Sequence, residues 1–164
     1  MVDFDTNFDT EQDDYSQATI EDVIAILQSE TEQAIDETLI RGLSGLTDED
    51  LNQVRPVWAA LDNDYRSLLL QTFVDLTETR LELEYEALAF MSLNDASPET
   101  RQYAIELLRD NETGMLMRRL LQIAQTDKDA QVRAEAVRSL GRFVLRGEFG
   151  KLPERINQQL QNTL

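Results

Sequence analysis

Four stretches of the chain carry the same ladder of core-type residues at i, i+4, i+5 and i+8: Ile35/Leu39/Ile40/Leu43, Tyr65/Leu69/Leu70/Phe73, Thr100/Ala104/Ile105/Leu108 and Val132/Ala136/Val137/Leu140. That spacing keeps every member on one side of a 3.6-residue helix, so each ladder is the buried stripe of one helix. The ladders start 30, 35 and 32 residues apart. An imperfect period of this length is that of stacked two-helix hairpins, each covering its stripe with its neighbours. The expected fold is all-α, with hairpins near 19–45, 47–78, 81–110 and 113–146 and a terminal capping helix over 152–164. Such an architecture builds surface and no catalytic pocket.

Local punctuation supports the same division. Residues 1–17 are acidic and lack helical periodicity, the composition of a disordered leader, and the folded domain is expected over 18–164. Thr19 can cap a first helix with Asp22 at its third position, and a second helix is expected from about Glu32 to Leu43. Thr47 followed by three acids starts a third helix, in which Pro56 predicts a kink or a late start. Asn63 or Asp64 is the expected cap of a helix over 65–78, and Leu81 to Leu93 reads as the next. Ser97-Pro98-Glu99 opens a helix over about 98–110 with a capping hydroxyl and a proline at the first position. Helices over about 113–126 and from Asp129 to about Arg146 follow. Leu152-Pro153-Glu154 opens the last, with Ile156 and Leu160 on one face.

Composition removes most catalytic chemistry. The 164 residues contain no histidine and no cysteine, hence no imidazole base, thiolate or nitrogen–sulfur zinc site, and they point to a non-enzyme without a cofactor. Lys128 and Lys151 are the only lysines and neither sits in apolar surroundings, while the glycines form no phosphate-binding loop. No apolar run is long enough to span a membrane, the N-terminus is acidic where a signal peptide is basic, and the absence of cysteine fits a reducing compartment. A cytoplasmic location is therefore expected. The net charge of −17 divides unevenly: −6 over residues 1–18, −9 over 19–64, −6 over 65–112 and +4 over 113–164. A dipole of this kind orients approach to charged partners over a Debye length of roughly 8–10 Å, and repels nucleic acid along most of the chain.

The segment from Asp127 to Gly141, with Arg133, Ala136 and Leu140, resembles the second helix of a HEAT repeat of the short prokaryotic type also seen in phycobilisome-lyase-like proteins. Asp95 to Leu108 is similar to it, with Arg101 at the arginine position, and Asp62 to Phe73 echoes it with Arg66; the first copy departs, since Asp36 stands where the arginine belongs. The resemblance implies a right-handed superhelical α-solenoid whose second helices line a concave surface. It speaks to architecture and not to activity.

Helical geometry sorts the charged residues independently of that resemblance. With the first ladder member at zero, the core arc spans roughly 0–140°, and the next residue falls at about 100°, inside it. Arg66, Arg101 and Arg133 therefore face the packed side, where a guanidinium must be paired with carbonyls or with the turn acids Asp62/Asp64, Asp95 and Asp127/Asp129. A structural role is expected for all three. The opposite face carries Leu68, Gln71, Asp75, Tyr103, Glu106, Asp110, Arg138 and Arg142: two apolar residues, acids beside them, and bases at the far end. This strip is the expected contact surface for a protein partner presenting a basic or amphipathic segment.

Four further readings rest on less. Asp3, Asp5, Asn7, Asp9, Glu11 and Asp14 have the spacing of a calcium-binding loop, but Phe8 stands where glycine makes the turn and Asp14 where a glutamate is required, so no metal is expected. Phe4, Phe8 and Tyr15 within that leader make a linear motif suited to the Arg138/Arg142 end. The resemblance to lyase-type repeats implies, as an alternative function, an accessory subunit of a tetrapyrrole (bilin) lyase-type system. The basic cluster Arg118, Arg119, Arg138, Arg142, Arg146, Lys151 and Arg155 offers nucleic-acid binding as a third reading.

Overall fold

The structure is a computed structural model; it describes residues 18–29 and 35–148, together with Glu154 and Gln158. Among the described residues every regular element is an α-helix and there is no strand: α1 (Ile20–Leu27), α2 (Glu37–Gly42), α3 (Asp48–Ala60), α4 (Asn63–Thr77), α5 (Glu86–Ser92), α6 (Pro98–Leu107), α7 (Gly114–Thr126) and α8 (Ala130–Glu148). No described helix is long and apolar enough to cross a membrane. The leader over 1–17 and the arrangement expected of the terminal helix over 152–164 lie outside the described residues.

The helices begin where side chains can take over the orphan N–H groups of a first turn. Thr19 with Asp22 and Thr47 with Asp50 form reciprocal capping boxes at α1 and α3. Ser97 accepts from Thr100 N at α6, Thr113 from Leu116 N at α7, and Asp129 Oδ1 from Gln131 N and Val132 N at α8. The cap of α4 is Asp62 rather than Asn63 or Asp64, because its carboxylate reaches Asp64 N at 2.8 Å.

Packing follows the ladders. Helices α1, α3 and α5 pack in succession, as do α4, α6 and α8, while α1 with α2, α5 with α6 and α7 with α8 pack as hairpins. Tyr65, Leu69, Leu70 and Phe73 are buried, as are Thr100, Ala104, Ile105 and Leu108, and Val132, Ala136 and Leu140. Each large apolar member contributes roughly 1.5–3 kcal/mol by leaving water. Thr100 fits an apolar row because its hydroxyl lies 2.9 Å from Ser67 Oγ on the neighbouring α4.

Three expected boundaries differ. α2 begins at Glu37, not near Glu32, with Asp36 as its cap accepting from Leu39 N at 2.9 Å. α3 runs uninterrupted through Pro56; Pro56 and Asn52, whose carbonyl loses its helical donor, are both exposed, where solvent replaces the missing bond. α5 begins at Glu86 and not at Leu81, because residues 80–85 are fastened to α2 and the turn after it. Arg80 grips Glu37 with two bonds of 3.0 and 2.7 Å, and Ser44 Oγ accepts from Glu84 N. Tyr85 donates to Ile40 O at 2.7 Å and stacks on Phe73 with ring centres 4.2 Å apart. Gly45, at φ 66°, supplies the left-handed residue of this junction, and its N–H donates to Glu84 O.

The crossing of α1 over α2 depends on Gly42, where an added Cβ would stand 2.2 Å from Cγ2 of the fully buried Val23. Gly42→Ala is expected to lower the unfolding free energy by about 1–3 kcal/mol in urea titration, because overpacking outweighs the helix propensity gained.

Candidate functional site

The packed edge of the second helices is occupied by arginines reaching forward to the next turn. Arg66 donates to Trp58 O, Leu61 O and Asn63 Oδ1 and, through Nη2, to Asp95 Oδ1 at 3.0 Å, while its Nε is in ionic contact with Oδ2 at 2.9 Å. Asp95 also accepts from Trp58 Nε1 and Ser97 N, and the side chains of the pair are only 5% and 6% exposed. Arg101 places Nη1 on the carbonyls of Asp95 and Ala96 and clasps Asp127 with Nε and Nη2 at 2.9 and 2.7 Å. Arg133 repeats half of this, with Nη1 on the carbonyls of Asp127 and Lys128.

The opposite ends of the same helices show a second, backward set. Arg109 reaches Thr77 and Glu78 at the end of α4. Arg142, expected on the open strip, turns instead toward α6 and donates to the carbonyls of Leu108, which also accepts from Asn111 N–H, and Arg109, beyond the last turn of that helix. Burial holds the Arg142 pKa below the ordinary arginine range against the opposing pull of Asp110. Its Nη1 and Nη2 are thus engaged in capping a helix end. The cause is tertiary: Arg142 reaches a helix end that lies more than thirty residues earlier, and no local spacing announces it.

The remaining strip is more acidic than its sequence suggests. Leu68 is 49% exposed on α4, with Gln71 and Asp75 exposed along the same helix. On α6, Tyr103 is half-buried with its body packed on the core and Glu106 is exposed, as is Asp110 just beyond the helix end. On α8, Arg138 is exposed and already paired with Glu135. Tyr103, Glu106 and Glu135 line one recess of about 120 Å³ between α6 and α8, joined there by Glu99 and Gln102. Sequence reasoning passed over Glu99 and Gln102, although Glu99, Gln102/Tyr103 and Glu106 stand at i, i+3/i+4 and i+7, the spacing that aligns side chains along one helical face. With Arg142 withdrawn and Arg138 held by Glu135, little base remains there for the aromatic residues of the leader. Of the basic cluster, Arg119 donates to Asn94 and Gln122, and the side chains of Arg146, Lys151 and Arg155 lie outside the described residues.

A larger groove of about 630 Å³ runs along the turns between Asn94 and Asp129, but its floor is the Arg101–Asp127 clasp itself. Among the described residues no group of three carboxylates, histidines or cysteines is placed to hold a metal ion. Neither a protein-family model nor a curated protein nor a solved structure matches the chain.

Two expectations follow for the Arg101–Asp127 clasp. Arg101→Ala should cost about 3 kcal/mol in urea titration, because it leaves a carboxylate that is only 10% exposed without its counter-ion. Burial pushes the Asp127 pKa up, but the hydrogen bonds from Arg101 and Asp129 N–H outweigh it and hold the carboxyl below its usual range. A lowered pKa in the fold means that ionised Asp127 favours folding. The contribution is complete above the unfolded value of about 3.9 and fades as pH falls through the lower folded value. The melting temperature of the natural chain should therefore exceed that of Asp127→Asn near neutral pH, with the gap closing below about pH 4. A gap that persists in acid would contradict this.

Proposed function

We propose that this chain is a non-catalytic interaction scaffold of the HEAT-repeat type, a short right-handed α-solenoid that receives a basic or amphipathic segment across α4, α6 and α8. The observation that carries the reading is the acidic recess built on Tyr103 between α6 and α8, with Leu68 half-exposed on α4, the helix packed against α6. An apolar anchor next to a cluster of carboxylates suits a helix with leucine-type residues on one face and lysine or arginine flanking it. The succession of α4, α6 and α8, and of α1, α3 and α5, supports the solenoid, and the paired Arg–Asp turns support the family likeness. Non-catalytic action is supported by a chain without histidine or cysteine, whose buried arginines are taken up by structural contacts.

The test is a fluorescence-anisotropy titration with a labelled amphipathic peptide of leucine and lysine in helical spacing. Binding should weaken about tenfold in Leu68→Asp, with the melting temperature held, and in Tyr103→Ala, which also lowers the melting temperature because the ring packs on the core. Glu106→Gln together with Glu135→Gln should flatten the salt dependence. No binding at low salt, or binding indifferent to both Leu68 and Tyr103, would end the proposal.

A further inference from the structure

Among the described residues Leu81 is the most exposed large apolar side chain, 88% open to solvent, and it is held there. It takes the second position of a turn in which Leu83 N–H donates to Arg80 O at 3.2 Å. Both ends of the turn are anchored, since the Arg80 guanidinium lies on Glu37 and Glu82 while Leu83 is buried in the core. Proline, glycine and short polar residues are what such a turn selects, so its geometry does not account for a leucine at the tip.

Behind Leu81 runs a groove of about 490 Å³ between the turn after α2, the start of α5 and the C-terminal ends of α4 and α6. Leu46, Leu83 and Leu107 wall it and continue the apolar surface that Leu81 begins. Its charges are of one sign: Glu84, Glu86 and Asp110 line it and no basic residue does. The neighbouring bases are turned to other acids, Arg80 to Glu37 and Glu82, and Arg109 to Glu78, with its Nε 3.9 Å from Asp110. Glu86 accepts from Asn111 Nδ2 at 3.0 Å, whereas Glu84 and Asp110 present exposed carboxylates.

We infer that this groove seats a leucine-type residue flanked by lysine or arginine on a segment of a partner protein. The apolar walls receive the anchor and the carboxylate rim receives the flanking charges. Charge sets this occupant apart from others. Residues 1–18 hold six acids and no base, and a second copy would bring together two chains of net charge −17. Residues 149–164 carry Lys151 and Arg155, but they follow α8, which in the row α4, α6, α8 stands one helix further from the groove. Asp110 alone is common to this groove and to the strip around Leu68 and Tyr103, so each surface can bind or fail on its own.

The probe is a dye-labelled peptide of two leucines between pairs of lysines, too short to hold a helix by itself, titrated into the full chain by fluorescence anisotropy at about 150 mM salt. Saturable binding is expected, at least about fivefold tighter than that of the same peptide with serine in place of leucine. Leu81→Ser should weaken it about tenfold with the melting temperature held within about 2 °C, Glu84→Gln with Asp110→Asn should weaken it and flatten its salt dependence, and Leu68→Asp should leave it unchanged. No saturable binding up to about 1 mM, equal binding of the serine peptide, or indifference to Leu81→Ser overturns the inference. A loss in Leu68→Asp in place of Leu81→Ser would move the peptide to the strip, overturning this groove while leaving the function proposed above intact. A melting loss of several degrees in Leu81→Ser would show the groove filled within the chain, and self-association abolished by that change would make a second copy the occupant; either result excludes the partner segment.

Discussion

A buried carboxylate persists only where its charge is met and its lone pairs are filled, and at Asp95 both conditions are supplied by another hairpin. Arg66 and Trp58 come to it from α4 and α3, while Ser97 N–H joins from its own turn. The position of the turn before α6 is thereby tied to the helices that precede it in the chain. One hairpin later, Arg101 and Asp127 do the same for the turn before α8. Apolar ladders bring neighbouring helices together without strongly selecting their sliding register; these charge pairs select it, since a displacement of one turn would strand a desolvated ion.

The division of labour among arginines reshapes the surface. Arg66, Arg101, Arg109 and Arg142 are drawn into contacts between neighbouring helices, and Arg80 is held by Glu37. The charges of Arg66, Arg101 and Arg142 face inward while much of the acid stays out, so the solvent-facing potential is more negative than a residue count over α4 to α8 suggests. Around Tyr103 this concentrates Glu99, Glu106 and Glu135 in one recess. Glu37 illustrates the converse case: its hydrogen bond from Arg80 holds its carboxyl below the usual range even at the surface.

What could be read before any coordinates was the part governed by local periodicity. Leu69, Ile105 and Leu140 are buried because helical spacing leaves them nowhere else to go, and the 100° step that places Arg66 and Arg101 inside the apolar arc is equally local. The start of α6 was legible for the same reason, since Ser97 and Pro98 act on the turn that contains them. Tyr85 and Arg142 were not legible. Each is fixed by a carbonyl thirty to forty-five residues away, on Ile40 and Leu108, and a stretch with helical propensity from Leu81 onward loses its first turns to that tie. Sequence spacing says where a side chain points from its own helix, but not which distant group waits there.

The cap that Arg142 places on α6 has a mechanical meaning. Helix α6 closes its own C-terminal end only in part, through Arg109 N–H on Glu106 O and Asn111 N–H on Leu108 O; Arg142 of α8 adds donors to the carbonyls of Leu108 and Arg109, while Arg109 in turn reaches the side chains of Thr77 and Glu78 at the end of α4. Peeling α8 away therefore exposes more than an apolar stripe, because it strips hydrogen bonds from a helix that has not itself moved. Local fraying at one hairpin is passed backward as a loss of protection on the one before it, so these helices share a common opening reaction and resist being loosened one at a time.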